Sequence, residues 1–171
     1  VATNAVLERK GARTGLLTTK GFRDTLEIGR ESRYDIYDLN LRLPEPLVPG
    51  ERRLEVDERV SAEGEVLTSL DEAAATRAIE ELVERHDVEA LAICLINSIV
   101  FPDFERRLAD IAARLYPGLA ISISHDVSGE IREYERTSTT VIDAYVKPMV
   151  RHYVGRMSEG LRDQGLTPCM A

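Results

Sequence analysis

The apolar run ALAICLI, residues 90–96, constrains the fold of this chain more than any other feature. A membrane-spanning helix needs about 20 residues, so a run of this length indicates a strand buried on both faces of a sheet. Helical patterns of apolar residues precede it over 75–86 and follow it over 104–115. Because residues 119–124 then alternate as another strand, the order helix–strand–helix–strand predicts right-handed βαβ units in a parallel sheet.

Three further segments complete the predicted architecture. Residues 14–19, TGLLTT, are predicted to form a strand that neighbours the two later strands in one sheet. Within 52–70 an alternating pattern begins around Leu54 and resumes at Val66 after a glycine, which predicts a β-hairpin. The stretch 31–50 contains several prolines and is predicted to be largely loop.

Helix ends are predicted from capping residues. Residues 3–10 and 22–30 are predicted to form short helices, the first of which ends at Gly11. The S-x-x-E sequence at 69–72 is a capping box, which predicts the start of the helix before the buried strand. Asp103 is predicted to cap the next helix in the same way.

Four hydroxyl side chains stand in a row near the predicted start of a last, long helix, namely Thr137, Ser138, Thr139 and Thr140. The pattern predicts that this helix begins near Thr139 or Thr140, with Thr140 and Asp143 as a capping box. Pro148 is expected to kink it or to mark a break. Since one capping box is enough, the remaining hydroxyls are either ordinary helix-start residues or the lining of a polar site.

Composition limits the function. The 171 residues, 43% hydrophobic and 30% charged, predict one folded domain over 1–171. The net charge is −8 without a basic block, so no nucleic-acid partner is expected, and no membrane segment is predicted. Cys94 and Cys169 lie far apart and the histidines lack metal-ligand spacing, which predicts a cytoplasmic, reducing environment and no zinc site.

Three stretches of the sequence stand out together. They are VATNAVLERKGARTGLLTTKGFRDTLEIGR at 1–30, RLEVDERV at 53–60 and SHDVSGEIREYERTSTTVIDAYVKP at 124–148. In combination they resemble the N-terminal region of the hydantoinase A/5-oxoprolinase family. The resemblance implies an α/β lobe of the actin-like ATPase (ribonuclease H-like) type, with a parallel sheet of βαβ units, a β-hairpin insertion and a long C-terminal helix. It also implies a fragment truncated at both ends, without an upstream phosphate loop and a downstream catalytic region.

The function that the resemblance implies is ATP-dependent hydrolysis of a cyclic amide, with ATP and Mg²⁺ as cofactors. The family includes N-methylhydantoinases, 5-oxoprolinases and subunits of acetone and acetophenone carboxylases, and its amidases open the ring through a phosphorylated amide. The implied partners are a small cyclic amide, the remainder of the same chain and a hydantoinase B-type subunit or domain. Two alternatives stay open: a subunit of an ATP-dependent ketone carboxylase, and a non-catalytic scaffold or regulatory subunit. The fragment alone is expected to be inactive.

Candidate site residues follow from this implied chemistry, which needs groups that hold phosphate, Mg²⁺ and the amide in line. Arg132 and Arg136 could stabilise phosphate or substrate oxygens. Glu130 and Glu135 could hold Mg²⁺ through water, or they could pair with those arginines. The hydroxyls at 137–140 could donate to an anion at the helix start, or they could only cap the helix.

The remaining candidates lie elsewhere in the sequence. Thr3 and Asn4 either cap the first helix and face phosphate, or cap it and nothing more. The candidate catalytic residues are Arg136, Glu130 and His125. His125 follows a strand end and could act as a general base, although a loop histidine bonded to a neighbour is the commoner case. Asn97 and Ser98 end the central strand, either at a ligand crevice or as an ordinary polar strand terminus.

Overall fold

Helices and strands alternate along the chain in the computed structural model, which describes residues 2–30, 37 and 44–164. In chain order the elements are α1 (Ala2–Leu7), β1 (Thr14–Thr19), α2 (Thr25–Ile28), β2 (Arg53–Val56), β3 (Arg59–Val60), β4 (Val66–Thr68), α3 (Glu72–Glu80), β5 (Ala90–Cys94), α4 (Asp103–Leu115), β6 (Ala120–Ile123), α5 (Ser124–Val127) and α6 (Glu133–Asp163). A 3₁₀ turn at Gly50–Arg52 leads into β2, and a π-helical turn at Glu81–Arg85 extends α3. The predicted strand 14–19 is therefore confirmed with its bounds.

Four parallel strands form the central sheet in the order β2–β1–β5–β6. Leu17 lies opposite Leu54 on one side and Ile93 on the other. Ile93 in turn lies opposite Ile123. The inner strands β1 and β5 are buried along their whole length, which is why the apolar run of β5 is continuous. The predicted fold class is thus confirmed, since the structure is α/β with a parallel sheet, a β-hairpin and a long C-terminal helix.

Helices cover both faces of the sheet. On one face Leu91 and Ile93 pack into a core that includes residues of α3 and α4. On the other face Ala90, Ala92 and Cys94 pack with residues of α6. Because side chains alternate along a strand, β5 presents large side chains to one layer and small ones to the other. The small side chains let α6 lie close against the middle of the sheet.

The order of the strands reverses between β1 and β5. The connection from β1 to β2 carries α2, whose Leu26 packs in the core on the α6 face. The connections from β2 to β5 and from β5 to β6 carry α3 and α4 on the opposite face. In open parallel sheets the crevice outside the carboxyl ends of two such strands is the usual place for a ligand. The chain ends of β1 and β5 are therefore where a site is expected.

The predicted hairpin exists, but its strands differ from those expected. Leu54 and Val56 belong to β2, which pairs in parallel with β1, and the hairpin consists of β3 and β4. Gly64 occupies its turn with φ of 88°, a conformation that glycine adopts most easily. Val56 is buried in the core that includes α3, so burial against the rest of the molecule, and not the local alternation, decides the partner of β2.

Three predicted helix ends are wrong for local reasons. Arg9, with φ of 53°, ends α1 in place of Gly11, since Lys10 N donates to Ala5 O at 2.9 Å in a Schellman arrangement. Asp71, not the serine at 69, caps α3 by accepting from the backbone N–H of residue 74 at 2.9 Å. Asp103 lies inside α4, because the preceding proline already has helical backbone angles.

The bounds of two further predicted elements also change. The predicted helix 22–30 shrinks to the single turn of α2. The predicted strand around 119–124 ends at Ile123, and α5 begins at the next residue. The predicted loop at 31–43 lies outside the described residues apart from residue 37, and Cys169 lies outside them as well. Of the helices in the described part, none is both long enough and apolar enough to cross a membrane.

The last helix begins six residues before Thr139, so the predicted start is wrong and all four hydroxyls lie inside α6. The hydroxyls of Thr139 and Thr140 each donate to the carbonyl four residues earlier at 2.7 Å, which lets threonine sit within a helix. The helix also continues through Pro148, where a break was one of the two expectations. Proline cannot donate to the carbonyl four residues before it, and the adjacent carbonyl of Tyr145 accepts from Ala12 N at 2.9 Å.

Candidate functional site

The carboxyl ends of β1 and β5 carry a group of buried polar side chains, which we call the strand-end cluster. It consists of Thr19, Glu58, Glu105 and Arg136, arranged around the peptide bond between Leu95 and Ile96. The four side chains come from β1, from the turn after β2, from α4 and from α6. Each of them is at least nine-tenths buried.

Three of these side chains hold the end of β5 from different directions. The carboxylate of Glu105 accepts from Leu95 N at 2.8 Å, and Nη2 of Arg136 donates to Leu95 O at 2.7 Å. The next backbone N–H, that of Ile96, donates to Oγ1 of Thr19 at 2.9 Å. The backbone groups Leu95 N, Leu95 O and Ile96 N are thus each bonded to a side chain, as buried polar backbone requires.

Glu105 is the most heavily bonded member of the strand-end cluster. Besides Leu95 N, it accepts from Oγ of Ser124 at 2.6 Å and from the backbone N–H of His125 at 2.9 Å. Oγ of Ser98 lies 3.1 Å from Oγ of Ser124, so the turn after β5 is joined to α5 as well. Glu105 therefore connects α4, the end of β5 and α5.

Arg136 is a buried cation with few partners. It is 1% exposed, its Nη2 makes the bond to Leu95 O, and its Nε makes no hydrogen bond. No ion pair joins it to a carboxylate of the described residues. Oγ1 of Thr137 lies 3.1 Å from Sγ of Cys94 beside it. Burial raises the pKa of the Cys94 thiol, and the nearby charge of Arg136 opposes that rise.

Glu58 carries the second unpartnered atom of the strand-end cluster. Its Oε1 accepts from the hydroxyl of Thr19, whereas its Oε2 is buried without a partner. Burial raises the pKa of the Glu58 carboxyl, and the bond from Thr19 and the charge of Arg59 only partly offset this effect. The charge of Glu105 adds a further upward contribution.

Replacing Glu58 by glutamine is expected to change how stability depends on pH. A carboxyl whose pKa is raised in the fold binds more protons folded than unfolded, so its contribution to stability falls as pH rises from the ordinary value of 4.5 through the raised value. Glu58→Gln, which stays neutral, should therefore gain stability relative to the wild type with rising pH. Urea unfolding at several pH values measures this difference, and the exposed Glu63→Gln is the control. An unchanged difference across pH would contradict the raised pKa.

The four hydroxyls of α6 point to different places. Thr137 and Thr140 are buried against the sheet, where they bond to Cys94 and to the carbonyl of Arg136. Thr139 is exposed. Ser138 alone lines a cleft of about 280 Å³ between α1, α2, α6 and residues 44–47, which we call the α6 cleft. The helix start therefore faces both the strand ends and a cleft.

The other predicted site residues are spread over the surface. Thr3 and Asn4 are exposed within the first turn of α1, and Glu130 is exposed before α6. Asn97 has φ of 58° and donates through Nδ2 to the carbonyl of residue 60 at 2.9 Å. The side chain of His125 makes no hydrogen bond with a described residue, although its backbone N–H bonds to Glu105. Their roles toward a ligand stay predictions.

Glu135 forms an ion-pair group at the start of α6. Nε of Arg30 lies 2.7 Å from Oε1 of Glu135, and Nη1 of Arg132 lies 3.9 Å from the same oxygen. A hydrogen bond with its own backbone, together with the two arginines, holds the pKa of Glu135 below its ordinary value. Glu135 is therefore paired with arginines, which is one of the two alternatives that the sequence left open.

Sequence reasoning missed the two buried carboxylates of the site. Glu58 and Glu105 were not among the candidates, because charged residues are expected at the surface. A signal for Glu105 did exist, since it lies three residues before Leu108 and seven before Ala112 on the buried side of α4. Glu58 has no comparable signal, because it follows a strand in an irregular turn.

The fold and the strand-end cluster together define an α/β lobe whose polar groups gather at the carboxyl edge of a parallel sheet. The particular family is also clear. The chain belongs to the hydantoinase/oxoprolinase family. The family model described as Hydantoinase/oxoprolinase N-terminal region matches residues 1–116. The resemblance found in the sequence is therefore confirmed.

Relatives support this assignment over nearly the whole chain. Caprolactamase subunit alpha of Pseudomonas jessenii is 35% identical over 96% of this chain and 24% of its own length. The 5-oxoprolinase of Saccharomyces cerevisiae is 32% identical over 94% of this chain and 14% of its own length. The chain thus spans a quarter or less of the relatives it matches.

Two solved structures have the same fold. The crystal structure of ATP-dependent caprolactamase from Pseudomonas jessenii matches 98% of this chain with a TM-score of 0.90 and 34% identity, and the match covers 24% of that chain. The nucleotide-free structure of acetone carboxylase matches 96% of this chain with a TM-score of 0.86 and 28% identity, covering 25% of that chain.

Proposed function

We propose that the intact protein is an ATP-dependent hydrolase that opens a cyclic amide. The observation that carries the proposal is the likeness to ATP-dependent caprolactamase, with a TM-score of 0.90 and 34% identity over 98% of this chain. The identity to 5-oxoprolinase points to the same kind of substrate, since both names denote enzymes of cyclic amides. Residues 1–171 are then a single lobe of that enzyme.

The described residues do not fit ATP or Mg²⁺ by themselves. The first turns of α3, α4 and α6 all carry acidic side chains, which disfavour phosphate at a helix N-terminus. Within residues 2–30, 37 and 44–164 no three acidic, histidine or cysteine side chains are grouped so that they could hold a metal ion. ATP and its Mg²⁺ would therefore bind mainly to other parts of the intact protein, and this lobe would contribute the strand-end cluster and the α6 cleft.

The same reasoning gives the partners and the compartment that we propose. The relative from Pseudomonas jessenii is an alpha subunit, which favours a second subunit or domain of the hydantoinase B type. The remainder of the chain would supply the phosphate site. Cys94 is a free thiol within the described residues, which fits a reducing cytoplasm.

Likeness to acetone carboxylase supports a second candidate function, an ATP-dependent ketone carboxylase. A non-catalytic scaffold is the third. The test measures ATP hydrolysis by the intact protein with caprolactam, 5-oxoproline or acetone, in the presence and absence of bicarbonate. Hydrolysis that depends on the amide and not on bicarbonate is expected. Dependence on a ketone and bicarbonate would favour the carboxylase, and no stimulation by either would favour the scaffold.

The isolated 171-residue chain is expected neither to hydrolyse ATP nor to bind it tightly. The physical reason is that the first turns of α3, α4 and α6 are acidic, so none of these three helix starts favours a triphosphate. Isothermal titration calorimetry with ATP and Mg²⁺ measures the affinity. Micromolar binding would show that the phosphate site lies in this lobe after all.

A further inference from the structure

The α6 cleft has the size and lining of a small-molecule site. Its volume of about 280 Å³ exceeds the roughly 150 Å³ that accommodates a benzene ring. One side is apolar, with Leu26, Val141 and Ile142 among its lining residues. The polar part of the lining includes two hydroxyl groups, an arginine and Glu45, so a ring that carries one polar edge would match both sides.

Two hydroxyls lie together on one face of α6 at the cleft. Tyr134 and Ser138 are four residues apart in the helix, so their side chains are neighbours. Neither hydroxyl makes a hydrogen bond with a described residue. By contrast, the hydroxyls of Thr19 and Ser124 at the strand ends are both bonded. The two hydroxyls at the cleft are therefore free to bond to a ligand.

Arg9 closes the cleft in a strained backbone conformation. Its φ of 53° places it in the left-handed region at the end of α1, where a side chain costs roughly 1–2 kcal/mol. Its Nη2 donates to the carbonyl of Glu45 at 2.5 Å, which joins α1 to the segment that forms the opposite wall.

We propose that the α6 cleft binds the ring of a cyclic amide, with the amide edge against the hydroxyls of Ser138 and Tyr134. A hydroxyl both donates and accepts, so the pair can satisfy the carbonyl and the N–H of one amide group. The apolar residues of α2 and α6 would contact the ring carbons. This inference rests on the proposed function, because it names the place where the substrate of that function binds.

Binding is tested in the intact protein with caprolactam and with 5-oxoproline as probes, by calorimetry without ATP. Ser138→Ala is expected to weaken binding about fivefold, the loss of one hydrogen bond. Ile142→Trp, which fills the cleft from a position that is 39% exposed, is expected to weaken it more than tenfold. Matched controls are Ser69→Ala and Leu67→Trp, two exposed positions away from the cleft. Unchanged dissociation constants in both cleft variants would overturn the inference.

A third variant distinguishes the two kinds of cyclic amide. Arg9→Gly removes the guanidinium and relieves the backbone strain, so the fold should be retained. It is expected to weaken binding of 5-oxoproline, which carries a carboxylate, by about tenfold, and binding of neutral caprolactam less. Equal effects on both probes would remove Arg9 from the proposed site.

Failure of this inference is separable from failure of the proposed function. If the wild-type protein shows amide-dependent ATP hydrolysis while Ser138→Ala and Ile142→Trp leave KM and the dissociation constant unchanged, the cleft is not the substrate site and the function stands. If the wild type binds caprolactam in a way that Ile142→Trp abolishes but hydrolyses no ATP with it, the cleft is a binding site and the hydrolase function is wrong.

Discussion

Glu105→Ala is expected to lower the free energy of unfolding by about 3–5 kcal/mol, because several donors at the end of β5 and the start of α5 lose their acceptor. The Glu105 carboxylate accepts from Leu95 N, from Oγ of Ser124 and from His125 N at 2.6–2.9 Å. Its removal leaves the N–H groups of Leu95 and His125 without their acceptor and takes from Ser124 Oγ one of its two partners, and each buried donor so left costs about 1–3 kcal/mol if no water reaches it. Urea unfolding followed by circular dichroism measures the change.

Two variants of α4 separate the bonding of Glu105 from its mere presence in the helix. Glu105→Gln keeps the shape but turns one acceptor oxygen into a donor beside other donors, so a loss of about 2 kcal/mol is expected. Asp110→Asn, an exposed position in the same helix, should change stability by less than about 0.5 kcal/mol. A loss below about 1 kcal/mol for Glu105→Ala would mean that the carboxylate does not hold the end of β5.

The prediction also bears on function. Glu105, Arg136 and Thr19 fix the end of β5 at the point where the strand order reverses, so a change in any of them should shift the turn that carries Asn97 and Ser98. Arg136 was one candidate for stabilising phosphate or substrate oxygens, with pairing to a glutamate as the alternative. The burial of Arg136 and its bond to Leu95 O favour a structural role at the end of β5. Its Nε, which is buried without a hydrogen-bond partner, fits a structural role and a ligand-binding role equally.

The strands of the sheet could be predicted because their burial is recorded in the local sequence. β5 is covered by helices on both faces, and only a continuous apolar run satisfies that position. The partner of β2 could not be predicted, since the alternation around Leu54 describes two faces of a strand and not the strand beside it. Val56 is placed by the core under α3, which involves residues distant in the chain.

The candidate site was predictable only in part. The positions of its residues on α6 depend on where this helix begins, and the predicted start was wrong. Once α6 begins at Glu133, Arg136, Thr140 and Ala144 recur every four residues and form the face toward the sheet. Sequence reasoning started the helix after Ser138, because threonine has a low helix propensity. The back-bonds of Thr139 and Thr140 to earlier carbonyls and the burial of Thr140 outweigh that propensity.

Gly11→Ala is expected to destabilise the fold by about 3 kcal/mol, the upper part of the usual range for overpacking. A Cβ atom at this position would lie 2.1 Å from Cε1 of Tyr145, and two further atoms of the same ring would lie within 2.5 Å. The ring is 6% exposed and cannot swing into solvent without opening the contact between α1 and α6. Next to it, Ala12 N donates to the carbonyl of Tyr145, so a shift of either segment also breaks a backbone bond.

Gly155→Ala is the matched control for this substitution. A Cβ atom at Gly155 has no neighbour within 4 Å, and the residue lies inside α6, so alanine should stabilise the protein by about 0.5–1 kcal/mol. The cause of the Gly11 effect is isolated by repeating Gly11→Ala in a Tyr145→Leu background, which removes the ring. If the ring is the obstacle, the cost of Gly11→Ala should fall by at least half there. An equal cost in both backgrounds would assign the requirement for glycine to the backbone at residue 11 and not to the packing of α6 against the start of β1.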